Sequence, residues 1–186
     1  HAEPVACPVC GPHLTFVVPG QPPVTGDAAA VAAAVAVLRD GRVLAVRGIG
    51  GYHLLCDARS EAAVQHLRDR KCRPDKPLAV MFPQCGADGL DVAREELEIG
   101  PLEQAALCDP TRAIVLVPRR ATGRLAPGVA PGLREVGAFL PYSPLHQLLL
   151  EDFGGPLVAT SGNVSGEPVL TSATEAQERL AGVADA

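Results

Sequence analysis

Residues 68–82 read Arg68-Asp69-Arg70-Lys71-Cys72-Arg73-Pro74-Asp75-Lys76-Pro77-Leu78-Ala79-Val80-Met81-Phe82. A helix capped by Ser60, with Ala63, Val64 and Leu67 at helical spacing, must stop at Pro74, whose ring and missing N–H forbid continuation. Leu78 to Phe82 then forms a continuous apolar run of strand length, the pattern of a strand covered on both faces. Between helix and strand, basic residues are held in a short, constrained turn. A helix handing over to a buried strand in this way points to an α/β fold.

The rest of the chain makes that turn conspicuous. The protein has 186 residues and a formal charge of −5, and of its 16 basic residues only Lys71 and Lys76 are lysines. Five positive charges fall within residues 68–76 of an otherwise acidic chain. That acidity argues against a broad electrostatic surface for nucleic acid or anionic lipid. With 47% hydrophobic and 20% charged residues the chain can bury a core, which excludes a disordered acidic polymer. No apolar run approaches the ~18–20 residues of a spanning helix, and no basic stretch precedes an apolar one near the N-terminus. No membrane association and a cytoplasmic location are therefore expected. Because residue 1 is His and not Met, the chain is also expected to be one part of something longer.

Moving outward in both directions, helices and strands alternate. Residues 28–38 read as a helix with Asp27 as N-cap, ending at Gly41. Residues 42–47 and 52–56 read as strands joined by Gly48-Ile49-Gly50-Gly51. Residues 87–107 are helical in pattern with a break at Gly100-Pro101, and Ala113–Val117 reads as a buried strand. Residues 119–132 are loop, 136–140 a strand, 145–151 a short helix and 156–160 a strand. Ser172-Ala173-Thr174-Glu175 is a capping box for a last helix to about Leu180.

Phosphate-binding loops of the Walker and dinucleotide types are absent, as is a nucleophile elbow. The basic turn is a candidate replacement, since Arg offers a planar fork and Lys a point charge to phosphate oxygens. A basic helix end is equally what solvation and the macrodipole favour by themselves. The second candidate is Thr160-Ser161-Gly162-Asn163-Val164-Ser165-Gly166, where hydroxyls, an amide and glycines leave the C-terminal end of a strand. An ordinary polar turn has the same composition. Of the six cysteines, Cys56, Cys72, Cys85 and Cys108 are scattered and read as buried or bystander thiols. Cys7-Pro8-Val9-Cys10-Gly11 is a zinc knuckle in form, half of a tetrahedral site whose other two ligands would lie upstream.

Taken together, Lys71-Cys72-Arg73-Pro74 and the later Ser161-Gly162-Asn163 resemble the paired motifs of YrdC-like domains. The longer matches Gly50 to Leu54, Arg70 to Met81, Leu140 to His146 and Thr160 to Pro168 are similar to the HypF form of that domain, as is Cys7 to Pro12 ahead of it. The resemblance covers essentially the whole chain. It implies a twisted, mostly open α/β sheet with flanking helices around a basic cavity. It also implies that residues 1–20 are the tail of a zinc-finger region and 21–186 a YrdC-like domain, short of the family's C-terminal end.

The HypF-type carbamoyltransferases imply a function as well. Carbamate, derived from carbamoyl phosphate, would be joined to ATP with Mg2+, giving carbamoyl-adenylate. The carbamoyl group would then pass to the C-terminal cysteine of a HypE-type acceptor in the maturation of nickel–iron hydrogenase. Lys71, Arg73, Ser161 and Asn163 would be the catalytic and ATP-binding residues, with Tyr52 and Thr160 beside the carbamoyl group and Arg47 and Arg112 as weaker candidates. Cys7 and Cys10 would hold structural Zn2+. His53 and His146 read as structural hydrogen-bonders. Two alternatives stay open, a threonylcarbamoyl-adenylate synthase acting in tRNA modification and a non-catalytic module binding double-stranded RNA.

Overall fold

The computed structural model describes Cys7, residues 10–163 and residues 167–186. Its first elements, β1 (Thr15–Phe16) and β2 (Val24–Thr25), pair as an antiparallel ribbon. The sequence did not predict them, because two-residue strands carry no readable period. Their pairing crosses the boundary expected at residues 20/21, and Leu14 and Phe16 pack on the core. Helix α1 (Asp27–Arg39) buries Val31, Val35 and Leu38. Its N-cap is Gly26 and not the expected Asp27, whose carboxylate instead accepts the Leu14 N–H at 2.7 Å. The ribbon has taken the side chain that would have capped the helix.

Strands β3 (Leu44–Arg47) and β4 (Tyr52–Asp57) form a hairpin, and Ser60 caps α2 (Glu61–Arg70) by accepting the Ala63 N–H at 3.3 Å. Strand β5 (Ala79–Met81) follows Pro74, and α3 (Asp91–Glu96) and α4 (Pro101–Cys108) divide at the expected break. Strand β6 (Val115–Pro118) corrects the expectation of a buried strand. It lies at the sheet edge and is covered on one face only, with Val117 in the core on that face and Ile114 59% and Leu116 64% exposed on the other. The stretch read as loop contains a short 3-10 turn at Pro127–Val129. Strand β7 (Glu135–Phe139), α5 (Pro144–Phe153), β8 (Leu157–Ser161) and α6 (Ala173–Arg179) complete the chain. Ser172 caps α6, but the reciprocal half of the expected capping box is not made, since Glu175 pairs with Arg179.

The six-stranded sheet has the order β3-β4-β8-β5-β7-β6, in which β5 and β7 run parallel and the other neighbours antiparallel. One face, carrying Leu54, Val80 and Val158, packs with Val64 and Leu67 of α2. The other, carrying Leu55, Met81 and Ala159, packs with α1 and α5. Each fully buried leucine among these contributes about 1.5–3 kcal/mol relative to exposure, so both layers hold the sheet firmly. The last strand, β8, is thereby fixed in the middle, between β4 and β5. Its C-terminal end emerges beside the C-terminal end of α2.

Candidate active site

The structure sorts the basic run by role. Arg68 is buried and donates to five backbone carbonyls, and Arg70 pairs with Asp185 at 2.8 Å. Lys71, Arg73 and Lys76 remain, and with Cys72, Pro74, Asp75, Ser161 and Asn163 they line one cleft of about 410 Å³. The two segments singled out in the sequence, 90 residues apart, therefore meet in one place.

Lys71 joins them directly. It is 6% exposed, and its ammonium donates to the Ser161 carbonyl at 2.6 Å, the Asn163 carbonyl at 2.9 Å and Asn163 Oδ1 at 2.8 Å. Burial, and then the neighbouring Arg73 charge, push its pKa down to about 8. The Ser161 hydroxyl donates to the same Asn163 Oδ1 at 2.7 Å. Arg73 reaches Thr160 Oγ1 at 3.4 Å and the Pro77 carbonyl at 2.8 Å, while its Nε is buried and has no hydrogen-bond partner among the described residues. A buried guanidinium N–H without an acceptor, beside a desolvated ammonium, suits an anion. The segment's remaining residues, 164–166, lie outside the described residues.

The other candidates fall elsewhere. Tyr52 lines a larger groove of about 800 Å³ along the β3 edge, walled mostly by apolar side chains such as Leu14, Phe16, Leu44 and Leu149; Arg47 lines it too. That groove lacks the convergent cations of the smaller cleft, so size does not decide between them. Arg112 sits in a positive-φ turn after α4, outside both linings. His53 and His146 stack at 5.6 Å between centroids, with the Tyr142 hydroxyl 2.9 Å from His53 Nδ1 and Ser143 Oγ 2.8 Å from His146 Nδ1. Burial lowers both histidines' pKa, that of His146 to about 4 with help from His53, so each is a neutral imidazole near neutrality.

Cys72 is exposed on the cleft wall, whereas Cys7 and Cys10 are exposed near the N-terminus, with the Gly11 N–H donating to the Cys7 carbonyl at 2.8 Å. Pro8 and Val9 lie outside the described residues. Two cysteines are half of a zinc set, and among the described residues no group of three His, Cys, Asp or Glu is placed to hold a metal. No helix among them is long and apolar enough to cross a membrane. Arg68 is the residue that sequence reasoning missed. In a run of five cations nothing distinguishes the one that turns inward, except its place one residue after core-facing Leu67 on the helix.

A family model described as telomere recombination, for Sua5, YciO and YrdC, matches residues 36–186. The carbamoyltransferase HypF of Rhodobacter capsulatus is 50% identical over 100% of this chain and 24% of its own length. A crystal structure of full-length HypF in the phosphate- and nucleotide-bound form matches with a TM-score of 0.87 and 39% identity, over 98% of this chain and 23% of that one. A threonylcarbamoyl-AMP synthase of Xanthomonas oryzae is 33% identical, over 82% of this chain and 81% of its own length. The chain thus spans a fifth to a quarter of the HypF relatives, 24% of the Rhodobacter protein and 19% of the Synechocystis one. By sequence and by fold alike, the chain belongs to the Sua5/YciO/YrdC family and is similar to the corresponding part of HypF carbamoyltransferases.

Proposed function

We propose that this chain is the ATP-using part of a HypF-type carbamoyltransferase, forming carbamoyl-adenylate from carbamate and ATP. The observation that carries the reading is the convergence of Lys71, Arg73, Ser161 and Asn163 on one cleft. A carbamate oxygen would bond to the α-phosphorus of ATP while the bond to the β-phosphate oxygen breaks, releasing pyrophosphate. Negative charge grows on the phosphoryl oxygens as this happens, and cations fixed beforehand lower the barrier without a covalent enzyme intermediate. Mg2+ would enter bound to ATP and neutralise part of the triphosphate charge. Thr160 would act through Arg73, which it touches. Tyr52 would serve only where the acyl end reaches past the cleft.

In the longer protein this reading requires, residues 1–20 end a zinc-finger region in which Cys7 and Cys10 share Zn2+ with ligands supplied elsewhere, and residues 21–186 form the adenylating domain. The carbamoyl group would travel on to a HypE-type cysteine during hydrogenase maturation, in the cytoplasm where ATP is found. The similarity to a threonylcarbamoyl-AMP synthase supports a second reading, adenylation of threonylcarbamate. ATP–pyrophosphate exchange separates them. Exchange dependent on carbamoyl phosphate or carbamate is expected, and exchange that needs threonine plus bicarbonate replaces the first reading with the second. RNA binding whose affinity falls steeply with salt, with no exchange under either condition, would favour the non-catalytic alternative.

The lowered pKa of Lys71 gives a pH signature. The ammonium loses its charge as pH rises through about 8, so nucleotide affinity is expected to fall over that range. Titration calorimetry from about pH 7 to about pH 9 reads this directly, and Lys71→Arg, which keeps its charge, is expected to flatten the profile. Stability runs the opposite way. A folded-state pKa below the ordinary lysine value means that the buried charge costs stability below pH 8, and this cost is relieved as pH rises toward 10.5. An affinity that stays flat across that range in the wild type removes Lys71 from contact with the anion.

A further inference from the structure

Arg68 lies in the last turn of α2, is 2% exposed, and makes no ion pair within 4 Å among the described residues. A cation buried without a carboxylate is costly unless dipoles replace water around it. Here backbone carbonyls do so. Nε donates to Gly128 O at 2.6 Å, one terminal nitrogen to Arg73 O at 2.7 Å and Pro74 O at 2.9 Å, and the other to Lys76 O at 3.1 Å and Val129 O at 3.3 Å. A guanidinium has five N–H donors in a fixed fork, and every one is matched. Lysine, with three donors on a single atom, cannot reproduce that set.

The acceptors fall into two groups. Gly128 and Val129 belong to the 3-10 turn, which is itself anchored: the Gly128 N–H donates to Glu61 Oε2 at 2.8 Å, and the Leu78 N–H to Val129 O at 2.9 Å. Arg73, Pro74 and Lys76 belong to the cleft wall. Carbonyl oxygens that accept from a buried side chain must point into the protein. Three partial negative charges are thereby withdrawn from the surface that would meet an anion. The same bonds fix the backbone that carries the Arg73 side chain.

Building on the adenylation reading, we propose that Arg68 is a positioning residue for nucleotide binding: it turns the carbonyls of residues 73–76 inward and holds that turn as an anion-facing wall. The test pairs Arg68→Gln with Leu150→Ala, a core truncation in α5 on the opposite side of the sheet. ATP affinity is measured by calorimetry, and amide hydrogen exchange of residues 72–77 by mass spectrometry, both well below each variant's Tm. Arg68→Gln is expected to lower ATP affinity at least tenfold and to speed exchange in 72–77. Leu150→Ala, with an equal or larger fall in Tm, is expected to keep wild-type values of both. Arg68→Lys, which retains the charge, is expected to rescue neither fully, and it stands in should the Gln variant fail to fold. Unchanged exchange in 72–77, or unchanged affinity despite faster exchange, overturns the proposal, as does equal loss of affinity in Leu150→Ala. Wild-type protein that binds no ATP overturns the adenylation reading instead, while the exchange measurement still decides whether Arg68 fixes the turn.

Discussion

Lys71→Ala is expected to lower ATP–pyrophosphate exchange by about 10²–10³-fold, the usual range for removing a preorganised electrostatic partner from a dry site. Two losses combine in that figure. The first is a positive charge at the proposed phosphate site, held where water screens it little. The second is the tether between the α2 turn and the end of β8, since one ammonium holds both Ser161 and Asn163. All three N–H bonds of Lys71 are taken in this arrangement, so contact with a phosphate requires it to give up an acceptor. Asn163 Oδ1 is the one it can release most cheaply, because the Ser161 hydroxyl donates to it as well. Stability changes in opposing directions, with relief from burying a charge set against carbonyls left without a donor. Rates are therefore compared on folded protein, checked by circular dichroism. Exchange within about threefold of wild type would show that the cleft works without this cation.

Gly162→Ala is expected to cost about 1–3 kcal/mol of stability and roughly a hundredfold in exchange rate. A Cβ at this position would stand 2.6 Å from Tyr52 Cβ and 2.7 Å from the Tyr52 carbonyl oxygen. Those atoms belong to β4 and cannot step aside, because the Gly162 N–H donates to that same oxygen at 2.6 Å. The end of β8 must shift instead, and Ser161 and Asn163 flank the residue that moves. Urea denaturation together with exchange kinetics measures both parts. A variant with wild-type stability and rate would mean that the strand end has slack which the packing does not reveal.

What could be read beforehand follows from how each signal is encoded. Strong breaks and periods, such as Ser60, Pro74, the Gly100-Pro101 break and the run from Leu78 to Phe82, put the long elements where they occur. The pairing of Lys71 and Arg73 with Ser161 and Asn163 was legible as a motif long before it could be justified as geometry. Edge position was not legible. Ala113 to Val117 is as apolar as a central strand, and only the packing layers tell that Val117 is covered while Ile114 and Leu116 face outward. Competition for a side chain was equally hidden: Asp27 has the chemistry of an N-cap, and a ribbon from upstream claims it. Tyr52 starts β4 on the same face as Leu54, the face on which α2 packs, yet it lines the neighbouring groove, and alternation along the strand does not tell which of the two openings it meets.

The central seat of β8 has a consequence in time. Among the described residues, strands β3 and β4 on one side and β5, β7 and β6 on the other meet only through β8, which follows all of them in the sequence. Residues 157–161 must leave the ribosome before the two halves can close, so most of the sheet depends on contacts distant along the chain. Such a topology folds slowly and exposes strand edges while it waits. Because the same strand that closes the sheet brings Ser161 and Asn163 to Lys71, a chain stopped before it has neither a finished sheet nor this cleft.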